Sequence, residues 1–259
     1  MNGLDVFLSA TGLVWCALFS LIMIGIVFFI KNNTRSTKID EPRKVFIFLY
    51  ILTLLLIINE FILHHAFEMQ FKYPTYTLIT SKIYVFIGLL WNFIVLMYYI
   101  ILYLKKKNKL ESRKIHKILN TIVLCIILIF FTIVLSFPVE YVYDKYGFWI
   151  LSGALNTVYN RLAIVCDAAL LLFILKNRNI LSKDLVIYSL IIFALYIGNL
   201  YLEGAIGYAI KDAIFMYSLF VSVLYYTTES QDKQMSEEYE IARQQSVEID
   251  KQKTNFLLN

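Results

Sequence analysis

Apolar residues run almost unbroken from Phe7 to Ile30. Comparable runs recur from Val45 to Ala66, Ile83 to Leu104, Ile118 to Phe137, Leu151 to Leu175 and Leu185 to Leu202, and a shorter one from Ala213 to Tyr226. A helix of about 20 apolar residues crosses the roughly 30 Å of hydrocarbon in a bilayer. The runs do not alternate in polarity, as barrel strands would. The pattern predicts an all-α fold: a polytopic membrane bundle of seven transmembrane helices over residues 1–228, then a cytoplasmic amphipathic signalling helix over residues 229–259. The seventh run is too short to cross unless it starts nearer Ile206 with Lys211 snorkelling. Pro42, Pro74 and Pro138 fall between runs, where they break no helix.

The polar stretches between runs set the orientation. Lys31, Arg35, Lys38, Arg43 and Lys44 follow the first run, "KKKNKLESRKIHK" follows the third, and Lys176, Arg178 and Lys183 follow the fifth. The alternate connections hold few basic residues. Lys and Arg collect on the cytoplasmic side, so the N-terminus is expected outside and the C-terminus inside. The other connections are short, and "FPVEYVYDKYGFW" reads as an aromatic belt at the membrane interface rather than a folded external domain.

Composition agrees: 59% of residues are hydrophobic and 17% charged. The formal charge of +5 comes from loop residues, so it points to membrane topology and not to nucleic acid. The N-terminal run has no basic leader and no small-residue cleavage site, and reads as a retained helix. Cys16, Cys125 and Cys166 all sit inside apolar runs without metal-site spacing, and are expected to be buried thiols without a disulfide.

Polar residues inside the runs are the candidate chemistry. Asn59, Glu60, His64 and His65 lie in the second, Asn92 in the third, and Asn156, Asn160, Arg161 and Asp167 in the fifth. Asn199 lies in the sixth, with Glu203 at its end. All but the deeper Asp167 fall in the outer half of the bilayer under the predicted topology. Two readings compete. These groups form interhelical hydrogen bonds worth about 1 kcal/mol each, or they line a ligand pocket open to the outside with Arg161 and Glu60 or Glu203 as charged walls. Glu60, His64 and Glu68 are four apart and share a helical face, but no second helix supplies matching metal ligands, so no metal is expected. His116 belongs to a basic loop and is expected to be solvated.

After Thr227 the chain turns polar, without Gly or Pro, and has good helix propensity. A four-then-three spacing selects Met235, Tyr239, Ala242, Ser246, Ile249, Lys253 and Phe256. Ser246 and Lys253 interrupt this heptad seam, which suits a parallel homodimer helix able to shift register. The alternative is a solvated charged helix without a partner.

The final "KTNFLLN" resembles the residues just before the phosphoacceptor box of bacterial sensor histidine kinases, where Lys-x-x-Phe-Leu-x-Asn leads into Met-Ser-His-Glu-Ile-Arg-Thr-Pro. Lys253, Phe256, Leu257 and Asn259 match. On architecture, residues 1–228 resemble the seven-helix membrane sensor region of one group of these kinases. The resemblance implies a multi-pass protein of the bacterial plasma membrane, in contact with lipid. It implies the sensor and signal-transmitting region of a two-component system, with a response regulator as partner of the kinase core. The sequence stops one residue before that box, so the chain alone is expected to be catalytically inactive. It carries no cofactor of its own; ATP and Mg²⁺ belong to the kinase core. The competing functions are a small transporter or channel, or a receptor feeding another output such as a cyclic-dinucleotide synthase.

Overall fold

The computed structural model describes residues 18–26, 41–107, 113–143, 149–206, 213–229, 239 and 241–249. It is mostly helical. Helix α1 is 18–26, α2 is Glu41–Glu68, α3 is Pro74–Lys106 and α4 is Arg113–Ser136. A hairpin of β1 (Glu140–Tyr143) and β2 (Trp149–Ser152) follows. Then come α5 (Gly153–Lys176), α6 (Lys183–Ile206), α7 (Ala213–Leu224) and α8 (241–249). Among the described residues, four helices are long and apolar enough to cross a membrane: Glu41–Phe67, Pro74–Lys106, Lys114–Ser136 and Gly153–Lys176.

Helix α3 is the hub. It packs on α2, α4 and α5, while α7 packs on α2 and α6. Val85, Leu89, Tyr98 and Tyr99 of α3 are almost wholly buried, as are Phe46, Leu49, Leu56 and Ile57 of α2. One reason α5 comes close is Gly88. A Cβ there would stand 2.9 Å from the Tyr159 hydroxyl, so the missing side chain makes room for the α5 tyrosine.

Several boundaries differ from those the apolar runs predict. Pro42 lies within the first turn of α2, and Pro74 opens α3. Early helical residues tolerate proline because their amides have no partner in the helix. Lys44 pairs with Glu41 across this first turn at 2.6 Å. The basic stretch expected as a loop is partly helical. Lys114, His116 and Lys117 belong to the first turns of α4, and His116 is half-buried rather than solvated. Cys125, expected to be buried, is exposed on α4, and Cys166 is half-buried. Helix α4 touches the bundle along one narrow face, and an apolar sequence does not say which residues lie on it. Cys16 lies outside the described residues.

The connection expected as an interfacial aromatic belt contains an antiparallel hairpin, with Glu140 opposite Ser152 and Tyr143 opposite Trp149. Tyr141 packs edge-on against Phe67 of α2, ring centroids 5.5 Å apart. Burial raises the Tyr141 phenol above its ordinary pKa, and the nearby Ser81 hydroxyl pulls the other way. Gly153 turns the chain from β2 into α5 at φ 83°, a left-handed conformation that a β-carbon disfavours.

The regular α-helix of α7 stops at Leu224. Tyr225–Glu229 form a π-helical turn. Further on, α8 is helical and every described residue in it is exposed. Of the predicted seam, Tyr239, Ala242, Ser246 and Ile249 are exposed. Met235, Lys253 and Phe256 lie outside the described residues.

Candidate functional site

Polar side chains within an apolar bundle need partners, because hydrocarbon offers none. Many here find one on a neighbouring helix. The Trp91 indole donates to Thr53 Oγ1 at 2.8 Å, joining α3 to α2. Thr77 donates to the Ala66 carbonyl at 2.8 Å, and Asn59 Nδ2 to the Thr80 carbonyl at 3.4 Å. The Tyr99 and Ser189 hydroxyls bond between α3 and α6. Tyr98 and Thr228 bond at 2.6 Å, tying α3 to the π-helical turn after α7.

Against this background one place stands out. A cleft of about 40 Å³ lies between α3, α5, α6 and α7, lined by Trp91, Asn92, Asp167, Phe193, Tyr217, Phe220 and three aliphatic side chains. Trp91 and Tyr217 stack, with ring centroids 4.1 Å apart and planes 28° apart. Phe220 meets Trp91 edge-on at 5.9 Å and Phe193 at 6.4 Å. Aromatic pairs in these geometries hold firm walls. The Tyr217 hydroxyl bonds to that of Tyr159 at 3.1 Å, which fixes the ring from outside the cleft.

Two polar residues, Asn92 and Asp167, are among those lining the cleft, whose surface is almost wholly apolar. Asn92 is buried, and its Nδ2 donates to the Gly88 carbonyl at 3.0 Å. That leaves its amide oxygen as an acceptor. Asp167 is half-buried, and among the described residues no cation or hydrogen-bond donor reaches its carboxylate. A carboxylate within a membrane-length helix is costly unless it faces a cavity or a charge.

The candidates drawn from sequence divide. Asn92 lines the cleft, whereas Asn59, Glu60, Asn156, Asn160 and Arg161 are not among its lining residues. Asn59 is buried in the α2–α3 contact. Glu60 is half-buried on α2 and Asn156 half-buried on α5. Asn160 and Arg161 are exposed, so Arg161 is no wall of this cleft. The side chains of His64, Asn199 and Glu203 lie outside those described. Asp167, set apart by depth, is the ionisable residue among those lining it. Depth groups residues by height along the membrane normal, whereas a cleft also requires a shared face. Arg161 and Asp167 are six positions apart, about 120° around an α-helix. The aromatic walls were indistinguishable in sequence from ordinary packing. Among the described residues no three His, Cys, Asp or Glu side chains gather as a metal site. No protein-family model matches the chain, and no curated protein matches it.

Proposed function

We propose that this chain is the membrane sensor and signal-transmitting region of a two-component histidine kinase. Seven helices cross the bacterial plasma membrane with the C-terminus inside, and a homodimeric helix carries the signal onward to a kinase core. The ending "KTNFLLN" and its place after a charged helix supply the family resemblance.

One observation carries the mechanism: α7 bears both a wall of the cleft and the start of the tail. Tyr217 and Phe220 line the cleft, and Thr228, 11 residues beyond Tyr217, bonds to Tyr98 of the hub helix. A cue that repacks the cleft therefore acts on the segment from which the signalling helix departs. The π-helical turn between them is a defect in the hydrogen-bond ladder, and such turns move more readily than regular helix. The cue must bind the two arrangements with different affinity to shift their populations.

The test grafts the chain onto a reporter kinase core and inserts one, two, three or four residues after Ser236. Each inserted residue turns the downstream helix by about 100°. Output is expected to rise and fall with that rotation, returning toward the parental level at four. Output indifferent to all four insertions defeats transmission through helix register. A transporter or channel is the second reading, favoured by the ionisable residue among those lining the cleft. Cation flux into proteoliposomes, absent in Asp167→Asn, would establish it instead.

A further inference from the structure

We propose that the cleft between α3, α5, α6 and α7 admits the methyl end of a lipid acyl chain. This names the occupant for the reading of the bundle as a cue receiver, and rests on it. The surface that the cleft presents is almost wholly apolar. The Trp91 indole N–H is committed to Thr53 and the Tyr217 hydroxyl to Tyr159. What remains is dominated by the rings of Trp91, Phe193, Tyr217 and Phe220, with aliphatic carbon between them. A buried water needs two to four polar partners, and such a surface offers almost none. A charged guest would lose its hydration without replacement.

Depth names the source of the guest. Trp91 stands 17 residues from the Pro74 start of α3 and 15 from its Lys106 end. Asp167 stands 14 from the Gly153 start of α5 and nine from its Lys176 end. At 1.5 Å per residue, both lie within about 4 Å of the middle of their helices. The hydrocarbon extends about 15 Å to either side of a bilayer's middle, so chain ends are what surround a bundle at that height. The helices leave a way in. The cleft separates two closely packed pairs, α3 with α5 and α6 with α7. Long aromatic side chains bridge the pairs, as Trp91 and Tyr159 both do to Tyr217. Among the described residues α5 and α6 touch only lightly. Near the lining residues, Leu172 of α5 and Ile191 and Leu195 of α6 are exposed, so this seam borders the lipid-facing exterior. The volume of about 40 Å³ matches about three water-sized atoms. The end of a hydrocarbon chain meets that limit, and a headgroup or fused ring exceeds it. A chain end seated there presses on Tyr217 and Phe220, the walls that α7 supplies.

Trp91 reports on the site, being 4% exposed and so shielded from lipid unless a chain enters. Trp15 and Trp149 are the other tryptophans, and replacing both with Phe leaves one indole, in the cleft wall. The full chain is placed in phosphatidylcholine nanodiscs whose acyl chains carry bromine near the methyl end, a short-range quencher of indole fluorescence. Trp91 is expected to lose most of its fluorescence relative to unbrominated discs. Ile192→Phe and Leu170→Phe each fill the cleft from a lining position and are expected to restore much of it. Fluorescence that stays bright in brominated discs overturns the proposal, as does quenching unchanged in a folded filling variant. If neither variant folds, the dependence on brominated fraction decides. One chain site gives a linear decline, and a steeper one, from several surrounding lipids, overturns the proposal. Saturable quenching by free 1-bromobutane in unbrominated discs, without quenching by brominated lipid, also overturns it, by assigning the cleft to a free apolar molecule. Quenching is read without any kinase core. Its absence while output still follows inserted register removes the lipid chain and leaves the receptor reading standing. Quenching with output indifferent to register does the reverse.

Discussion

Helices α3 and α4 are neighbours of similar oiliness and opposite placement. In the most apolar stretch of α3, 72% is buried within the bundle, and in that of α4 only 11%. In water, the bare surface of α4 would mark an interaction site or an aggregation hazard. In a bilayer, lipid tails solvate it as well as another helix would. The difference lies in the polar groups. Helix α3 spends several of its own on other elements, through Trp91 to Thr53, Tyr98 to Thr228 and Tyr99 to Ser189. Helix α4 turns Thr121 and Thr132 back onto its own carbonyls at Lys117 and Leu128. Such back-bonding satisfies a hydroxyl without any neighbour. Helix α4 does accept an exposed bond from Lys82 of α3 at the Leu135 carbonyl, so what separates hub from periphery, where hydrophobicity does not, is polar side chains of the helix itself that reach other elements.

The sharpest way to break this comparison is to remove one large side chain from each helix. Trp91→Ala is expected to cost about 3 kcal/mol or more, since it empties the stack with Tyr217 and the contact with Phe220. Phe131→Ala, on the half-exposed edge contact with Phe86, is expected to cost less than about 1 kcal/mol. Unfolding in mixed micelles, followed by circular dichroism, measures both. Equal losses would erase the distinction between hub and periphery.

A finer cut exchanges hydroxyls for methyls. Thr53→Val leaves the buried Trp91 indole without its acceptor and is expected to cost about 1–2 kcal/mol. Thr132→Val on α4 removes a hydroxyl that serves only its own helix, and is expected to change stability by less than about 0.5 kcal/mol. A Thr132 loss as large as that of Thr53 would mean that the Thr132 hydroxyl serves a neighbouring helix as well as its own.

A modest stability effect bears most on signalling. Tyr98→Phe keeps a fully buried ring and cuts the bond to Thr228. It is expected to cost about 1 kcal/mol or less. In a reporter-kinase graft it is expected to shift basal output, because the π-helical turn loses its tie to the hub. Unchanged output alongside the measured loss of stability would show the bond to be packing alone.

Much of the architecture was legible because a bilayer imposes a simple length rule. The apolar runs around Leu56, Leu89, Leu128 and Ala163 each became a membrane-length helix. Helix ends were read less well. Lys114 and His116 looked like loop because charge marks a membrane boundary, yet a helix continues past that boundary into the polar zone. The hairpin was missed because its aromatic residues fit an interfacial belt as well as a strand pair, and pairing depends on a partner six to twelve positions away.

The sequence by itself determined that the chain is mostly helical, which stretches are long enough to span a membrane, and that ionisable groups lie within them. Backbone hydrogen bonding and hydrocarbon thickness leave a long apolar run few alternatives. Only the tertiary structure decided which polar groups meet. It put Asn92 and Asp167 on one aromatic cleft and left Arg161 exposed. That choice depends on how each helix is rotated about its axis. In a helix apolar all round no stripe marks the inner face, so rotation is set by small fits such as Tyr159 over Gly88.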